Sequence, residues 1–199
     1  MSLNSQISSI IQKCNLSLRN LQKIGSKLSK ELKVQMVHAC VLSHIDYCNA
    51  VLAGITERQL QTLQKVQNQA VRFIYGLKGK ERRRPITPLL QELHFLPVRQ
   101  RISYKIALLT FKCLKGYAPN YLSDMIHVQS PNKSYSLRSN TDEHLLEEGP
   151  TYNYRRTSGA FSIAAPKIWN KLPHEIRSVQ KLSTFKIALK THFFDEAYK

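Results

Sequence analysis

The sequence predicts a mainly α-helical protein, in which a helical bundle is followed by a small mixed α+β domain. Apolar residues recur every three or four positions through the first two-thirds of the chain, and glycines follow these segments. After residue 127 the composition changes to polar, loop-like sequence. With 199 residues, 42% of them hydrophobic, the chain is long enough to bury a core. We therefore expect a helical bundle domain over residues 1–127 and a second domain over residues 128–199.

Helix start and stop signals predict three helices in the first part of the bundle. An amphipathic helix ends near Gly25, and Ser29 caps a second helix that runs to about Leu52. The second helix is apolar on most sides, so we expect it to form the buried centre of the bundle. A capping box over residues 56–59 begins a third helix, which Gly76 ends.

Prolines mark the starts of the helices that follow. Thr87 and Pro88 suit an N-cap and a first helical residue. Pro97 begins a longer helix with one apolar face and many basic residues elsewhere, and Gly116 ends it. A short helix follows Pro119.

The C-terminal domain is predicted to combine a hairpin with short helices. Two strands are expected, at residues 152–156 and 160–163. Pro166 is expected to begin a helix through Trp169, which lies in an apolar setting and should anchor the core. Ser183 is expected to cap the last helix.

The charge is strongly positive and concentrated in mid-chain. The chain has 30 Lys and Arg against 13 Asp and Glu, a formal net charge of +17. Residues 71–115 hold eleven basic and two acidic residues, and therefore +9 of this charge. Because charge at this density repels itself, it favours a polyanionic partner. No apolar run approaches the roughly 20 residues that cross a bilayer, and no secretory signal opens the chain. We expect an intracellular protein of the nucleus or cytoplasm, without membrane binding.

Cys40, His44 and Cys48 recur every four residues and would share one face of a helix. Eight residues of helix separate the outer pair by roughly 12 Å. Ligands about 2.0–2.3 Å from one zinc ion cannot span that distance. We therefore expect reduced, buried thiols, with no metal and no other cofactor.

Six runs of sequence, in the same order along nearly the whole chain, resemble segments of one family of proteins. They are His44-Ile-Asp-Tyr-Cys-Asn-Ala-Val-Leu52, Leu63-Gln-Lys-Val-Gln-Asn-Gln-Ala-Val-Arg-Phe-Ile74, Leu93-His-Phe-Leu-Pro-Val-Arg-Gln-Arg-Ile102, Leu114-Lys-Gly-Tyr-Ala-Pro-Asn-Tyr-Leu-Ser-Asp124, Ala160-Phe-Ser-Ile-Ala-Ala-Pro-Lys-Ile-Trp-Asn-Lys-Leu-Pro173 and Leu182-Ser-Thr-Phe-Lys-Ile-Ala-Leu-Lys-Thr-His-Phe-Phe194. This pattern resembles the C-terminal third of jockey-like non-LTR retrotransposon (LINE) reverse transcriptases. The resemblance implies a thumb region and a C-terminal domain, which in those RNA-directed DNA polymerases grip RNA and the primer–template duplex.

The resemblance does not extend to catalysis. Reverse transcriptases use a pair of adjacent palm aspartates to hold two Mg²⁺ ions, and this sequence has no Asp-Asp pair. The palm and the endonuclease would lie upstream of Met1. We therefore expect no enzymatic activity and no catalytic residues. An upstream palm, or another protein chain, is expected to pack on the first helix.

The candidate nucleic-acid-binding residues fall in two groups. The first comprises phosphate contacts in and around the basic loop at residues 77–86 and in the helix that follows: Arg72, Lys78, Lys80, Arg82, Arg83, Arg84, Arg99, Arg101 and Lys105. The second would stack on bases and pair with phosphates of a single strand: Tyr152, Tyr154, Arg155 and Arg156. A solvated charged loop, a nuclear localisation signal, a solvated helix face and inward-packing tyrosines are the structural alternatives.

The leading hypothesis is a non-catalytic module that binds RNA or an RNA–DNA duplex through its phosphates. One alternative is a helical scaffold for protein interactions, in which the apolar stripe of the first helix lacks its original partner. The other is a fragment of a decayed retroelement with no selected function.

Overall fold

The computed structural model describes residues 3–129, 145–148 and 159–199. Within these residues the protein is mainly α-helical, which confirms the predicted fold class, and ten α-helices are present. The β pairing in the same residues is a single isolated bridge between Val128 and Leu146. No helix in the described part of the chain is long and apolar enough to cross a membrane.

The chain packs into two compact units. The first unit comprises Met1–Asn49, Ile55–Arg101 and Phe194–Lys199, and the second comprises Ala50–Gly54 and Ile102–Phe193. The sequence-predicted boundary between residues 127 and 128 falls within the second unit, and it stays a prediction.

The first unit includes the end of the last helix of the chain, and it is otherwise built from five helices and the beginning of a sixth. These are α1 (Leu3–Ile24), α2 (Lys30–Val37), α3 (Ser43–Asp46), α4 (Glu57–Ile74), α5 (Thr87–Glu92) and α6 (Val98–Leu114). Short 3₁₀ helices lie at Gly25–Lys27 and Gly79–Arg83, and a π-helical turn at His38–Leu42 joins α2 to α3.

The capping residues and the glycine predicted at the ends of α2 and α4 are confirmed. Ser29 Oγ accepts a hydrogen bond from the Leu32 N–H (3.2 Å), which confirms the cap of α2. Thr56 and Gln59 form the predicted capping box at the start of α4. Gly76 follows the end of α4 with a φ of +65°, a left-handed conformation that glycine adopts without strain.

The apolar stripe of α1 is covered inside the first unit. It packs against α4 and against the π-helical turn. The thiol of Cys14 even reaches the Val41 carbonyl oxygen, at 3.5 Å. The buried members of the stripe are Ile7, Ile10, Cys14, Leu18 and Leu21. Because these residues are buried within the first unit, they give no reason to expect another protein to pack on this face of α1.

The second predicted helix is shorter than expected. Helical hydrogen bonding ends where the Tyr47 N–H bonds the Ser43 carbonyl, and Cys48 takes a left-handed φ of +52°. A 3₁₀ helix follows at Asn49–Gly54, and its Leu52 is buried. The prediction of one buried helix to residue 52 was therefore wrong. Cys48 is exposed rather than buried, whereas Cys14 and Cys113 are buried as expected.

The second unit continues α6 and adds α7 (Asn120–Ser123), α8 (Phe161–Trp169), α9 (His174–Arg177) and α10 (Leu182–Tyr198), whose last residues belong to the first unit. Its core contains the stacked rings of Phe111 and Phe185, with centroids 4.2 Å apart. Trp169 is 1% exposed and lies 5.9 Å from the same Phe185 ring, which confirms its predicted role as a core anchor.

Residues 160–163 do not form the predicted strand. Ala160 is the N-cap of α8, and the Ala164 N–H bonds its carbonyl at 2.9 Å. The alanines at 164 and 165 favour a helix, and this outweighs the single β-branched Ile163. Pro166 lies inside α8 rather than at its start. The expected partner strand, residues 152–156, lies outside the described residues.

Two other helices begin one and two residues before the predicted positions. Ile86, not Thr87, is the N-cap of α5. The Phe185 N–H bonds the Lys181 carbonyl (2.9 Å), so α10 starts before Ser183 rather than after it. The periodicity of apolar residues predicts which face of a helix is buried more accurately than it predicts the first residue of the helix.

Candidate nucleic-acid interface

The basic segment, Lys78–Arg84, is a short 3₁₀ helix with its capping residues rather than an irregular loop. The Glu81 N–H bonds the Lys78 carbonyl, and the Arg84 N–H bonds the Glu81 carbonyl, each at 3.1 Å. All seven residues of the segment are exposed. The cations therefore project from a turn with a defined backbone conformation.

Arg72 anchors this segment to α4. Its Nε–H donates to the Arg82 carbonyl oxygen at 2.9 Å. The backbone between them is tied as well, because the Leu77 N–H bonds the Arg72 carbonyl at 3.0 Å and the Leu77 side chain is buried. The basic segment is thus held at both ends.

A groove lies between the basic segment, the end of α1 and one face of α4. We call it the basic groove; its volume is about 570 Å³. Its lining residues are Gln22, Gly25, Ser26, Lys33, Gln69, Arg72, Phe73, Gly76, Leu77, Lys78, Gly79 and Arg82. The four that come from α4 and its end, at 69, 72, 73 and 76, follow the i, i+3, i+4, i+7 spacing of one helix face.

The charged residues that line the basic groove are all positive. Four of its lining residues are cationic, namely Lys33, Arg72, Lys78 and Arg82, and none is acidic. Within residues 3–129, 145–148 and 159–199, no carboxylate forms an ion pair with these four or with Lys80, Arg83 and Arg84. Cations gathered in a concave surface without counter-charges raise the local concentration of anions.

Phe73 forms the apolar part of the groove and is closely fitted. A Cβ added at Gly25 would come within 2.6 Å of the ring carbon Cε2, so only glycine permits this approach. The Nζ of Lys33 lies 5.9 Å from the ring centroid, within the range of a cation–π contact.

The arginines at the start of α6 are used differently. Arg101 Nη1 pairs with Asp46 Oδ2 at 2.6 Å, and its Nε–H donates to the Leu96 carbonyl at 3.0 Å. Its side chain is 12% exposed. Arg99 forms an exposed ion pair with Glu57. We therefore assign Arg101 to the packing of the first unit, not to the candidate interface.

The predicted residues thus separate into three sets. Arg72, Lys78 and Arg82 come together in the basic groove, and Lys80, Arg83 and Arg84 stand on the same basic segment. Arg99 lines a different groove, beside Glu57. Arg101 pairs with Asp46 and is not among the lining residues of that groove. Lys105 is half-buried and belongs to the second unit. Tyr152, Tyr154, Arg155 and Arg156 lie outside the described residues.

Four polar residues of the groove were not predicted: Gln22, Ser26, Lys33 and Gln69. Each is an ordinary surface residue of a helix or turn when the sequence is considered alone. The spacing of Gln69 and Arg72 along one helix face is the one local signal that pointed to a shared surface.

The potential metal ligands among the described residues do not cluster. No group of three or more His, Cys, Asp or Glu among them could hold a metal ion. Burial raises the pKa of the Cys14 thiol to about 11, which disfavours the reactive thiolate. His38 is exposed, and its ring meets the ring of Phe95 edge-on with centroids 4.7 Å apart.

No protein-family model, curated protein or solved structure matches the chain. The likeness to LINE reverse transcriptases therefore rests on the six sequence runs alone.

Proposed function

We propose that this protein is a non-catalytic nucleic-acid-binding module, akin to the thumb and C-terminal region of a LINE reverse transcriptase. It would act inside the cell and hold RNA or an RNA–DNA duplex by its phosphates. The observation that carries the proposal is the basic groove, in which four cations meet without any carboxylate. Three further exposed cations, Lys80, Arg83 and Arg84, stand on the adjoining basic segment.

The chemistry of these side chains suits phosphates. A guanidinium group can donate two parallel hydrogen bonds to a phosphate, whereas an ammonium group acts as a compact point charge. The set offers both kinds, because Lys33, Lys78 and Lys80 accompany four arginines. None of these groups must break an ion pair with another described residue before it binds.

The scaffold hypothesis has weaker support. It required an unpartnered stripe on α1, and that stripe is buried within the first unit. A protein partner elsewhere on the surface stays a prediction; Leu3, Leu16 and Ile24 of α1 are apolar and exposed, but they lie outside the buried stripe.

A salt titration tests the proposal directly. The affinity of the full chain for an RNA duplex and an RNA–DNA hybrid is measured between about 50 and 200 mM salt. If about six cations contact phosphates of a duplex, log K should fall with log salt at a slope near −5. Binding that is absent or independent of salt would overturn the proposal.

A charge-matched pair of variants locates the site. Replacing Arg82, Arg83 and Arg84 together by Ala should reduce the slope by about three. The control replaces Lys13, Arg58 and Lys65, which are exposed in the same unit but do not line the groove. An equal loss in both variants would mean that binding follows net charge rather than this surface.

A further inference from the structure

Two side chains of the basic groove carry an amide oxygen, a hydrogen-bond acceptor that phosphate binding does not use. Gln22 near the end of α1 and Gln69 on α4 are both exposed. Neither side chain hydrogen bonds to another residue in the part of the chain that the structure describes. They face a site whose remaining polar groups are mainly cations.

Their neighbours on α4 show how this protein otherwise uses glutamine. Gln67 is buried, and its Nε2 donates to the Leu96 carbonyl at 2.8 Å. Gln64 Oε1 accepts from the Val98 N–H at 2.9 Å, and its Nε2 donates to Asn68 Oδ1 at 2.9 Å. Those glutamines hold helices together, whereas Gln69 projects into the groove with its donors and acceptor available.

A carboxamide carries one acceptor oxygen and two N–H donors. A phosphate offers only acceptors, so it would leave the carboxamide oxygen unused. The edge of a nucleobase presents donors and acceptors side by side, and a carboxamide can match such a pair with two hydrogen bonds. The two glutamines therefore fit a base edge better than a phosphate.

The rest of the groove suits a base as well. The ring of Phe73 supplies an apolar wall against which a flat base can lie. The volume of about 570 Å³ falls within the range of about 300–1,000 Å³ for small-ligand sites. In a duplex the bases are stacked inside and cannot enter such a concave site, whereas an unpaired base can turn outward.

We propose that the basic groove binds a single unpaired nucleotide at the end of, or beside, a paired segment. The four cations hold its phosphates, Phe73 contacts the face of its base, and Gln22 and Gln69 hydrogen bond to the base edge. This inference rests on the proposed function and narrows its ligand from a duplex alone to nucleic acid with a single-stranded portion.

The test compares RNAs with the same number of phosphates. A blunt duplex, a duplex with a short single-stranded overhang and a single strand are titrated against the full chain by fluorescence anisotropy. We expect the overhang to bind about tenfold more tightly than the blunt duplex, as one stacked and hydrogen-bonded base would contribute. A DNA overhang of the same sequence tests whether the ribose hydroxyl matters.

The matched variants are Gln22→Ala with Gln69→Ala, and Gln12→Ala with Gln61→Ala. All four side chains are exposed and lie on the same two helices, α1 and α4, so each pair leaves the buried core untouched. We expect only the first pair to reduce the overhang preference, to about threefold or less, with an unchanged salt slope.

The outcomes separate this inference from the proposed function. Equal affinity for blunt and overhanging duplexes, with a slope near −5, would overturn the inference and leave the proposed function standing. A preference that both variant pairs reduce equally would also overturn it. Absence of salt-dependent binding would overturn both.

Discussion

The arginines that begin α6 and those of the basic segment are the same residue type in opposite uses. Arg99 and Arg101 are each paired with a carboxylate, on Glu57 and Asp46. Arg82 and its neighbours project into solvent without an ion pair to any described residue. The sequence places both groups within one strongly basic stretch. An anionic ligand is attracted mainly by exposed cations that no carboxylate already neutralises, so the total charge of the stretch overstates its binding surface.

Burial explains why Arg101 is paired, whereas the pair of Arg99 with Glu57 is exposed. The Arg101 side chain is largely withdrawn from water, and a buried cation is tolerated only with a partner. The basic segment is exposed, so solvation stabilises its cations and no partner is needed. Three predictions test this distinction, in order of decreasing effect on stability.

The largest effect is expected for Arg101→Ala. It removes the ion pair with Asp46 and the hydrogen bond to the Leu96 carbonyl, so we expect the free energy of unfolding to fall by about 2 kcal/mol. The loss stays below that of a fully buried pair because Asp46 is 41% exposed. Urea denaturation measures it, with Arg99→Ala as the control, expected to lose less than about 1 kcal/mol. Equal losses would contradict the contrast between these two arginines.

Arg72→Lys has an intermediate effect, because it keeps the charge but loses the Nε–H that bonds the Arg82 carbonyl. We expect a loss of stability of about 1 kcal/mol. Nucleic-acid affinity should also fall, with an unchanged salt slope, because the basic segment is held less firmly. The control is Arg58→Lys, an exposed substitution on the same helix. A changed slope with unchanged stability would mean that Arg72 acts only as a charge.

The smallest effect concerns an exposed pair. Lys30 Nζ lies 2.6 Å from Glu92 Oε1, and this hydrogen bond lowers the pKa of Glu92 below 4.5 in the folded protein. The pair therefore contributes stability above pH 4.5, and this contribution is lost as the pH falls through the folded pKa.

The Glu92→Gln variant checks this dependence. Its melting temperature should lie slightly below that of the wild type at neutral pH, and the two should converge in acid. Glu196→Gln, at another exposed carboxyl, is the control. A difference that persists well below pH 4.5 would show that Glu92 contributes by packing rather than by charge.

Local features of the fold were predictable because their causes are local. Ser29 and the capping box at Thr56 satisfy backbone donors within their own first turn. Gly76 and Gly116 end helices through left-handed φ values, which depend only on the missing Cβ. Such signals need no knowledge of the remaining chain.

Features with distant causes were missed. The break after Asp46 does not interrupt the apolar periodicity, since buried residues continue into the 3₁₀ helix at Asn49–Gly54. Arg101 and Asp46 are 55 positions apart, so no sequence pattern joins them. The basic groove likewise assembles from four separate segments, and only its basic segment and Arg72 stood out beforehand.

The close approach of Gly25 to Phe73 has a consequence for how this surface tolerates change. The turn at Gly25, after α1, can lie this close to the Phe73 ring of α4 only while residue 25 has no side chain. Even alanine would force the phenyl ring aside, and every larger residue would do so more. The dimensions of the basic groove therefore depend on the absence of one methyl group, at a lining position that carries no charge.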